Sequence, residues 1–287
     1  MDRYYGFGPV TLCLRSWPTD PQWPFAWWRL DSYATQGNRW DILAEYDPHY
    51  PIPEGSWEIV ENSVTALRQR LCLPNGERFW RQIQKRGGSL TFCTSGDYSH
   101  IRLIEDTTAT YGMAAIEALS FFVFPAMLSK GVLPLHGAVV EHRGRGILFC
   151  GLSGAGKSTQ ARLWRQFNNA LILNSDRAPC YEKEGRWYAF GTPWCGTGGE
   201  HICREVPVKA VVLPVQSSEN RVHVLTGQQL LEHLLPQVLC PDQAPLLQMH
   251  MFELLDRFLS CVPVLQLECT LDRAAVETLA GYLENLE

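Results

Sequence analysis

Residues 147–159 read Ile-Leu-Phe-Cys-Gly-Leu-Ser-Gly-Ala-Gly-Lys-Ser-Thr, an apolar run passing into G-x-x-x-x-G-K-S. This spacing serves one kind of chemistry. Glycines at 151, 154 and 156 let the backbone turn sharply and aim N–H groups into one concavity, where they hold phosphate oxygens. A helix that begins near Lys157 and runs over Gln160 to about Phe167 adds the positive end of its dipole. The expected nucleotide-binding set is Gly151, Ser153, Gly154, Ala155, Gly156, Lys157, Ser158 and Thr159. Within it Lys157 reaches the β- and γ-phosphates of ATP, and the Ser158 hydroxyl ligates Mg²⁺. The alternative, a glycine turn with a solvated lysine, leaves the Lys-Ser-Thr order unexplained. Lysine is also scarce in this chain, at positions 85, 130, 157, 183 and 209 only.

A nucleotide site of this kind needs an acid at the end of a neighbouring strand to hold the Mg²⁺ shell. Leu171-Ile172-Leu173-Asn174-Ser175-Asp176 has that form, so Asp176 is the second expected metal ligand beside Ser158; the plain alternative is a turn aspartate. Arg177 follows and could pair with Asp176 or with a phosphate. His136 stands at the entry to the strand predicted to pair with the loop's own strand, which brings its ring near the phosphates. A lone histidine is more often structural. The candidate catalytic residues are therefore His136, Lys157 and Asp176.

Strands and helices must position these groups. Gly137–Glu141 and Gly146–Cys150 are predicted strands around the turn His142-Arg143-Gly144-Arg145. Further strands are expected at 170–173, 187–190, 208–214 and 262–269, and helices at 113–129, 228–235, 246–259 and 271–286. Strands alternating with helices after the loop describe an α/β core. The first part differs. Its opening sixty residues are dense in aromatics (Trp17, Trp23, Trp27, Trp28, Trp40 and Trp57), which let a small module with little helix bury enough area to fold. From Trp57 the pattern becomes a strand meander, with Pro74-Asn75-Gly76-Glu77, Gly87-Gly88 and Ser95-Gly96-Asp97 as turns. Arg68, Arg70, Arg78, Arg81, Lys85 and Arg86 lie on or beside these strands, either as a solvated face or as a docking patch for an acidic partner. The expected organisation is a β-rich module over 1–110, a junction at 106–111, and a nucleotide domain over 111–287.

Composition narrows the function classes. A chain of 287 residues with net charge −5 is apolar enough to bury a core and does not read as a nucleic-acid binder. Its ten cysteines lie mostly in apolar runs with no C-x-x-C, which fits reduced thiols. His201-Ile202-Cys203 near Cys195 is the one hint of a metal cluster. The N-terminus lacks a signal-peptide pattern, and Met113–Ser129, interrupted by Pro125, is too short for a membrane span. A cytoplasmic protein is expected, with no membrane partner. Its oligomeric state is left open.

Four blocks taken in order resemble a known family: Leu135-His136-Gly137-Ala138-Val139-Val140, the glycine loop, Asn174-Ser175-Asp176-Arg177, and Tyr188-Ala189-Phe190-Gly191-Thr192-Pro193-Trp194-Cys195-Gly196. Together they are similar to the catalytic domain of the HPr kinase/phosphorylase family, over roughly 111–287. The likeness is closer to its small bacterial relatives, some from peptide-tailoring gene clusters that include those for lasso peptides. The resemblance also implies a fold like the nucleotide domain of ATP-dependent phosphoenolpyruvate carboxykinase. In the family the residues matching Lys157 and Ser158 serve the nucleotide, and an acid pair aligning with Ser175-Asp176 serves the metal and takes the proton of the substrate serine. The residue matching His136 stands beside them.

Ser175 departs from that pattern, since a serine cannot take a proton near neutral pH. Asp176 must then do both jobs, or the base comes from elsewhere, and an aspartate restored at 175 is expected to be neutral or activating. The loop Gly196-Thr197-Gly198-Gly199-Glu200 and the N-terminal module also differ from the family, which argues against HPr as substrate. Three readings follow. The first is an ATP-dependent kinase acting on a serine or threonine hydroxyl of a peptide or small protein. The second is a nucleotide-binding regulatory module without transfer chemistry. The third is a phosphotransferase or carboxykinase acting on a small metabolite.

Overall fold

The computed structural model describes residues 2–19, 23, 28–110, 112–240 and 245–286. Trp27 and position 111, the end of the expected junction, lie outside them. The described residues form a mixed α/β protein with two large sheets and six helices. The chain divides into two compact units, Met1–Lys130 and Gly131–Glu287.

The first unit is a nine-stranded sheet. Its strands are β1 (Arg3–Phe7), β2 (Val10–Arg15), β3 (Ala34–Thr35), β4 (Ile42–Tyr46), β5 (Glu58–Asn62), β6 (Ala66–Cys72), β7 (Arg78–Gln84), β8 (Ser89–Thr94) and β9 (His100–Asp106), in the order β3-β1-β2-β4-β9-β8-β7-β6-β5. Two helices, α1 (Trp28–Asp31) and α2 (Met113–Leu128), belong to the same unit. Strands β5 to β9 are the expected meander, and Gly76, with φ of 90°, makes the β6–β7 turn that an L side chain would strain.

The unit boundary falls after Lys130 and not at the expected 110/111. The cause is α2, which carries an aromatic face onto the first sheet: Phe122 lies 4.8 Å from Phe92 between ring centroids, and Phe121 lies 5.2 Å from Trp80. Trp17 is buried and its Nε1 donates to the Ala44 carbonyl at 2.9 Å, whereas Trp28 and Trp40 are exposed. The arginines do not share one face. Side chains alternate along a strand, so Arg78 and Arg81 of β7 point to opposite sides. Arg68 sits 4.1 Å from the Phe121 ring and pairs with Glu61, Arg70 pairs with Glu58, and Arg81 sits 4.4 Å from the Trp57 ring. They are held by acids and aromatics within the unit.

The second unit contains β10 (Val132–His142), β11 (Arg145–Cys150), α3 (Lys157–Asn168), β12 (Leu171–Asn174), β13 (Arg177–Lys183), β14 (Arg186–Phe190), β15 (Glu205–Gln216), β16 (Arg221–Val224), α4 (Gln228–Leu234), α5 (Pro245–Cys261), β17 (Val264–Cys269) and α6 (Arg273–Glu284). The turn between β10 and β11 has Arg143 and Gly144 at positive φ, the conformation of a tight hairpin. Strands β13 and β16 were not expected from the sequence. The run β13-β14-β15 is antiparallel, so strands and helices do not simply alternate after the loop.

Two long strands organise this unit. β10 pairs with β13 through its first half and with β11 and β12 through its second. β15 pairs with β14 at its start, then runs parallel to β11 and to β17. β11 is apolar and buried from Gly146 to Cys150 because both of its faces are covered there. Helix α3 lays Gln160, Ala161 and Trp164 against the sheet at one-turn spacing and ends at Asn169 in the left-handed conformation. Trp164, Phe149, Val212, Leu265 and Leu279 join one buried cluster beneath it. Among the described residues no helix is long and apolar enough to cross a membrane.

Candidate functional site

Register along β10 brings the predicted residues together. β11 and β12 both run antiparallel to β10, so their carboxyl ends lie at the same edge. Gly137 stands opposite Cys150 there, and the Gly137 amide donates to the Asp176 carbonyl at 3.0 Å. A side chain at 137 would meet the Cys150 sulfur at 2.7 Å, so glycine is what lets β10 approach β11 this closely at the site's floor.

The segment from Gly151 to Gly156 joins β11 to α3. Gly151, Gly154 and Gly156 have φ of 135°, 83° and 96°, which other residues adopt only under strain. Leu152, Ser153, Gly154 and Ser158 are exposed, while Lys157 at the head of α3 is only 8% exposed. Its Nζ donates to the Gly151 carbonyl at 2.7 Å and the Leu152 carbonyl at 3.0 Å, which closes the loop on itself. An ammonium has three N–H bonds, so one remains for an anion. Burial holds the Lys157 pKa below the ordinary lysine range, against the opposing charge of Asp176.

Asp176 lies beside this loop's strand. Its Oδ1 is 3.2 Å from Nε2 of His136, and its Oδ2 is 3.1 Å from the Arg177 guanidinium. Burial acts to raise the Asp176 pKa, but His136, Arg177 and Lys157 together outweigh it and hold the carboxyl below its ordinary range. The sequence left Arg177 open between Asp176 and a phosphate; here it pairs with Asp176. His136 and Arg177 are register partners on β10 and β13, so one strand pair carries the histidine and the acid's neighbour.

The surroundings of the acid were not foreseen from the sequence. Residues 171–183 follow β10 as β12 and β13, interrupted only at Ser175 and Asp176. Such an interruption re-aims a side chain. Completely buried Asn174 makes it: its Oδ1 accepts from the Asp176 amide at 2.9 Å and the Arg177 amide at 2.7 Å. Its Nδ2 donates to the Thr192 carbonyl at 2.9 Å and the Trp194 carbonyl at 3.2 Å. The signal available in the sequence was an asparagine at a strand end, a residue type that caps neighbouring amides.

Ser175 is not an open version of an acid. It is buried, its Oγ donates to the Cys195 carbonyl at 2.8 Å, and its amide donates to the Glu200 carbonyl at 3.2 Å. Gly196 and Gly198 belong to a short 3₁₀ turn pressed against this pair. A Cβ at 196 would meet the Asp176 carboxyl carbon at 2.7 Å, and one at 198 would fall on the Ser175 hydroxyl. The expectation that Ser175→Asp is neutral or activating therefore reverses. A carboxylate there would face two carbonyl oxygens and the Gly198 backbone. Thermal unfolding should show a loss of about 2–3 kcal/mol, the scale of a buried group left without a partner, with activity falling alongside.

Among the described residues no group of three or more His, Cys, Asp or Glu side chains is placed to hold a metal ion, so the hint at Cys195, His201 and Cys203 has no geometric counterpart. Mg²⁺ in a nucleotide site needs no such cage. It commonly takes one or two protein oxygens and completes its shell with phosphates and water, and the pair Ser158 and Asp176 fits that donor set. Buried thiols such as Cys150, pushed up to about 12 by burial, stay protonated and carry no chemistry here. The chain matches no protein-family model, and no curated protein matches it.

Proposed function

We propose that this protein is an ATP-dependent kinase that transfers the γ-phosphate to a serine- or threonine-type hydroxyl, with a nucleotide domain of the HPr kinase and phosphoenolpyruvate carboxykinase kind. The observation that carries this reading is the meeting of the glycine loop with the His136–Asp176 pair at one sheet edge. Phosphoryl transfer asks the protein mainly for positioning and charge, because its transition state is loose and spreads charge over the transferred oxygens.

Each group then has its own part. In this reading the loop amides and Lys157 bind the β- and γ-phosphates, and Ser158 and Asp176 would hold Mg²⁺, which would supply positive charge against the phosphates. Asp176 orients the acceptor hydroxyl. A carboxylate held below its ordinary pKa is a weak proton acceptor, so Asp176 first orients the hydroxyl and takes its proton late, as the bond to phosphorus forms, while His136 Nε2–H donates to Oδ1 and steadies the carboxylate. The acceptor oxygen forms its bond to phosphorus as the bond to the ADP oxygen breaks. The test is ADP release and phosphate incorporation with Mg²⁺·ATP, with and without serine-bearing peptides. No nucleotide binding and no transfer would overturn the reading.

A nucleotide-binding module without transfer is favoured by one observation, that Ser175 is committed to the Cys195 carbonyl and only one carboxylate remains. ATP binding without ADP formation under any acceptor would select it. The first unit is proposed to select the acceptor. Because α2 packs its Phe121 and Phe122 on the first sheet, a fragment 111–287 would expose that face and aggregate, whereas 131–287 should stay monodisperse and bind ATP. Gel filtration and calorimetry check this. Acceptor phosphorylation lost in a fragment that still binds ATP supports the selector role, and full phosphorylation by 131–287 removes it.

A further inference from the structure

Asn174 touches no position where a substrate would lie, yet it joins the two segments that bound the acid. One end of its amide receives the amides of Asp176 and Arg177, and the other donates to the carbonyls of Thr192 and Trp194 and reaches the Thr192 hydroxyl at 3.2 Å. Every polar atom of the side chain is used and none of it is exposed. No other residue type of this size offers an acceptor on one side and two donors on the other. Next in the chain, Ser175 pins the Cys195 carbonyl, and the Gly196–Gly198 turn then lies on the Asp176 carboxyl.

We infer that Asn174 is a positioning residue. It fixes the Asp176 carboxylate and seats the 192–198 segment against it, so that the acceptor side of the site is built by a buried amide in place of a second acid. The inference rests on the kinase reading for its kinetic test but not for its structural one. Without Asn174 the amides of Asp176 and Arg177 lose their acceptor, and the carboxylate gains freedom around His136 and Arg177. Without the amide donors alone, only the 192–198 segment is released. These two halves are separable by substitution.

Asn174→Asp keeps the acceptor half and turns the donor half into a carboxylate facing carbonyls. Outer-shell changes of this kind typically cost about 10–100-fold in activity or metal affinity, and that loss in kcat, with a raised Mg²⁺ midpoint, is expected at pH 8. The loss should fall on kcat, with the KM for ATP little changed. A wild-type kcat and a wild-type Mg²⁺ midpoint, in a folded variant, would overturn the proposal. Amide hydrogen exchange at Asp176 and Arg177 needs no turnover. Protection kept in Asn174→Asp and lost in Asn174→Ala supports the positioning role even if the wild type proves not to be a kinase. Equal protection in all three proteins refutes it, whatever the activity shows.

Discussion

Replacing Lys157 by alanine is expected to lower ATP affinity, turnover or both by about 10²–10³-fold, the scale found when one preorganised donor to developing charge is removed. Two effects combine. The ammonium that faces the β- and γ-phosphates is gone, and so is the brace that ties the Gly151 and Leu152 carbonyls to the head of α3. The loop keeps its positive-φ glycines but loses the bonds that close it. Lys157→Arg should be nearly as damaging, because the broad planar guanidinium cannot share a buried pocket shaped for a compact ammonium. Calorimetric ATP binding and ADP release check both variants, with circular dichroism reporting the fold. Unchanged affinity and turnover in a folded alanine variant would mean that the loop binds no nucleotide.

Asp176→Asn should abolish Mg²⁺-dependent transfer to about the same degree, at least 10²-fold, while the fold persists. The amide retains the shape and can still accept from Arg177, but it removes the one negative charge that His136, Arg177 and Lys157 surround. Those three cations or donors would then repel a metal ion without compensation. A pH signature accompanies the loss. The folded carboxyl has a pKa below its unfolded value, so its ionised form contributes stability above the ordinary carboxylate pKa, and that contribution is lost as pH falls through the folded value. The substituted amide cannot titrate, so the variant should lose less stability between about pH 5 and the acid limit than the wild type does. Activity with an ordinary Mg²⁺ midpoint in the variant would show that another oxygen holds the metal.

The backbone form of residues 151–159 was legible in the sequence because it is local. Glycines that supply positive φ, a lysine at the head of a helix and a serine one residue on are covalent neighbours, and the strand before them was visible as an unbroken apolar run. Asp176 was legible for the same reason, as an acid closing another such run. The β10–β11 hairpin was legible from its turn, whereas the pairing of β12 with the other edge of β10, which brings Asp176 to the loop, is encoded by no local pattern. The first unit's limits were hidden likewise: α2 is apolar nearly all round, so only its aromatic contacts with Phe92 and Trp80 say which sheet it serves. The meander's arginines read as one face until the alternation of β7 and the acids of β5 placed them on two.

Ser175 gives the sharpest contrast. In the sequence it is a serine where the family it resembles has an acid, and the gap reads as a weakness to be repaired. In the folded protein that position is the seat of a glycine turn from well further along the chain, with its hydroxyl spent on a carbonyl and no room for a carboxylate. Sequence alone determined which residues are candidates for phosphate and metal, because that candidacy belongs to side chains and short-range backbone geometry. The tertiary structure alone decided which side chains remain available for that work, because burial and hydrogen-bond satisfaction are set by partners far away in the chain.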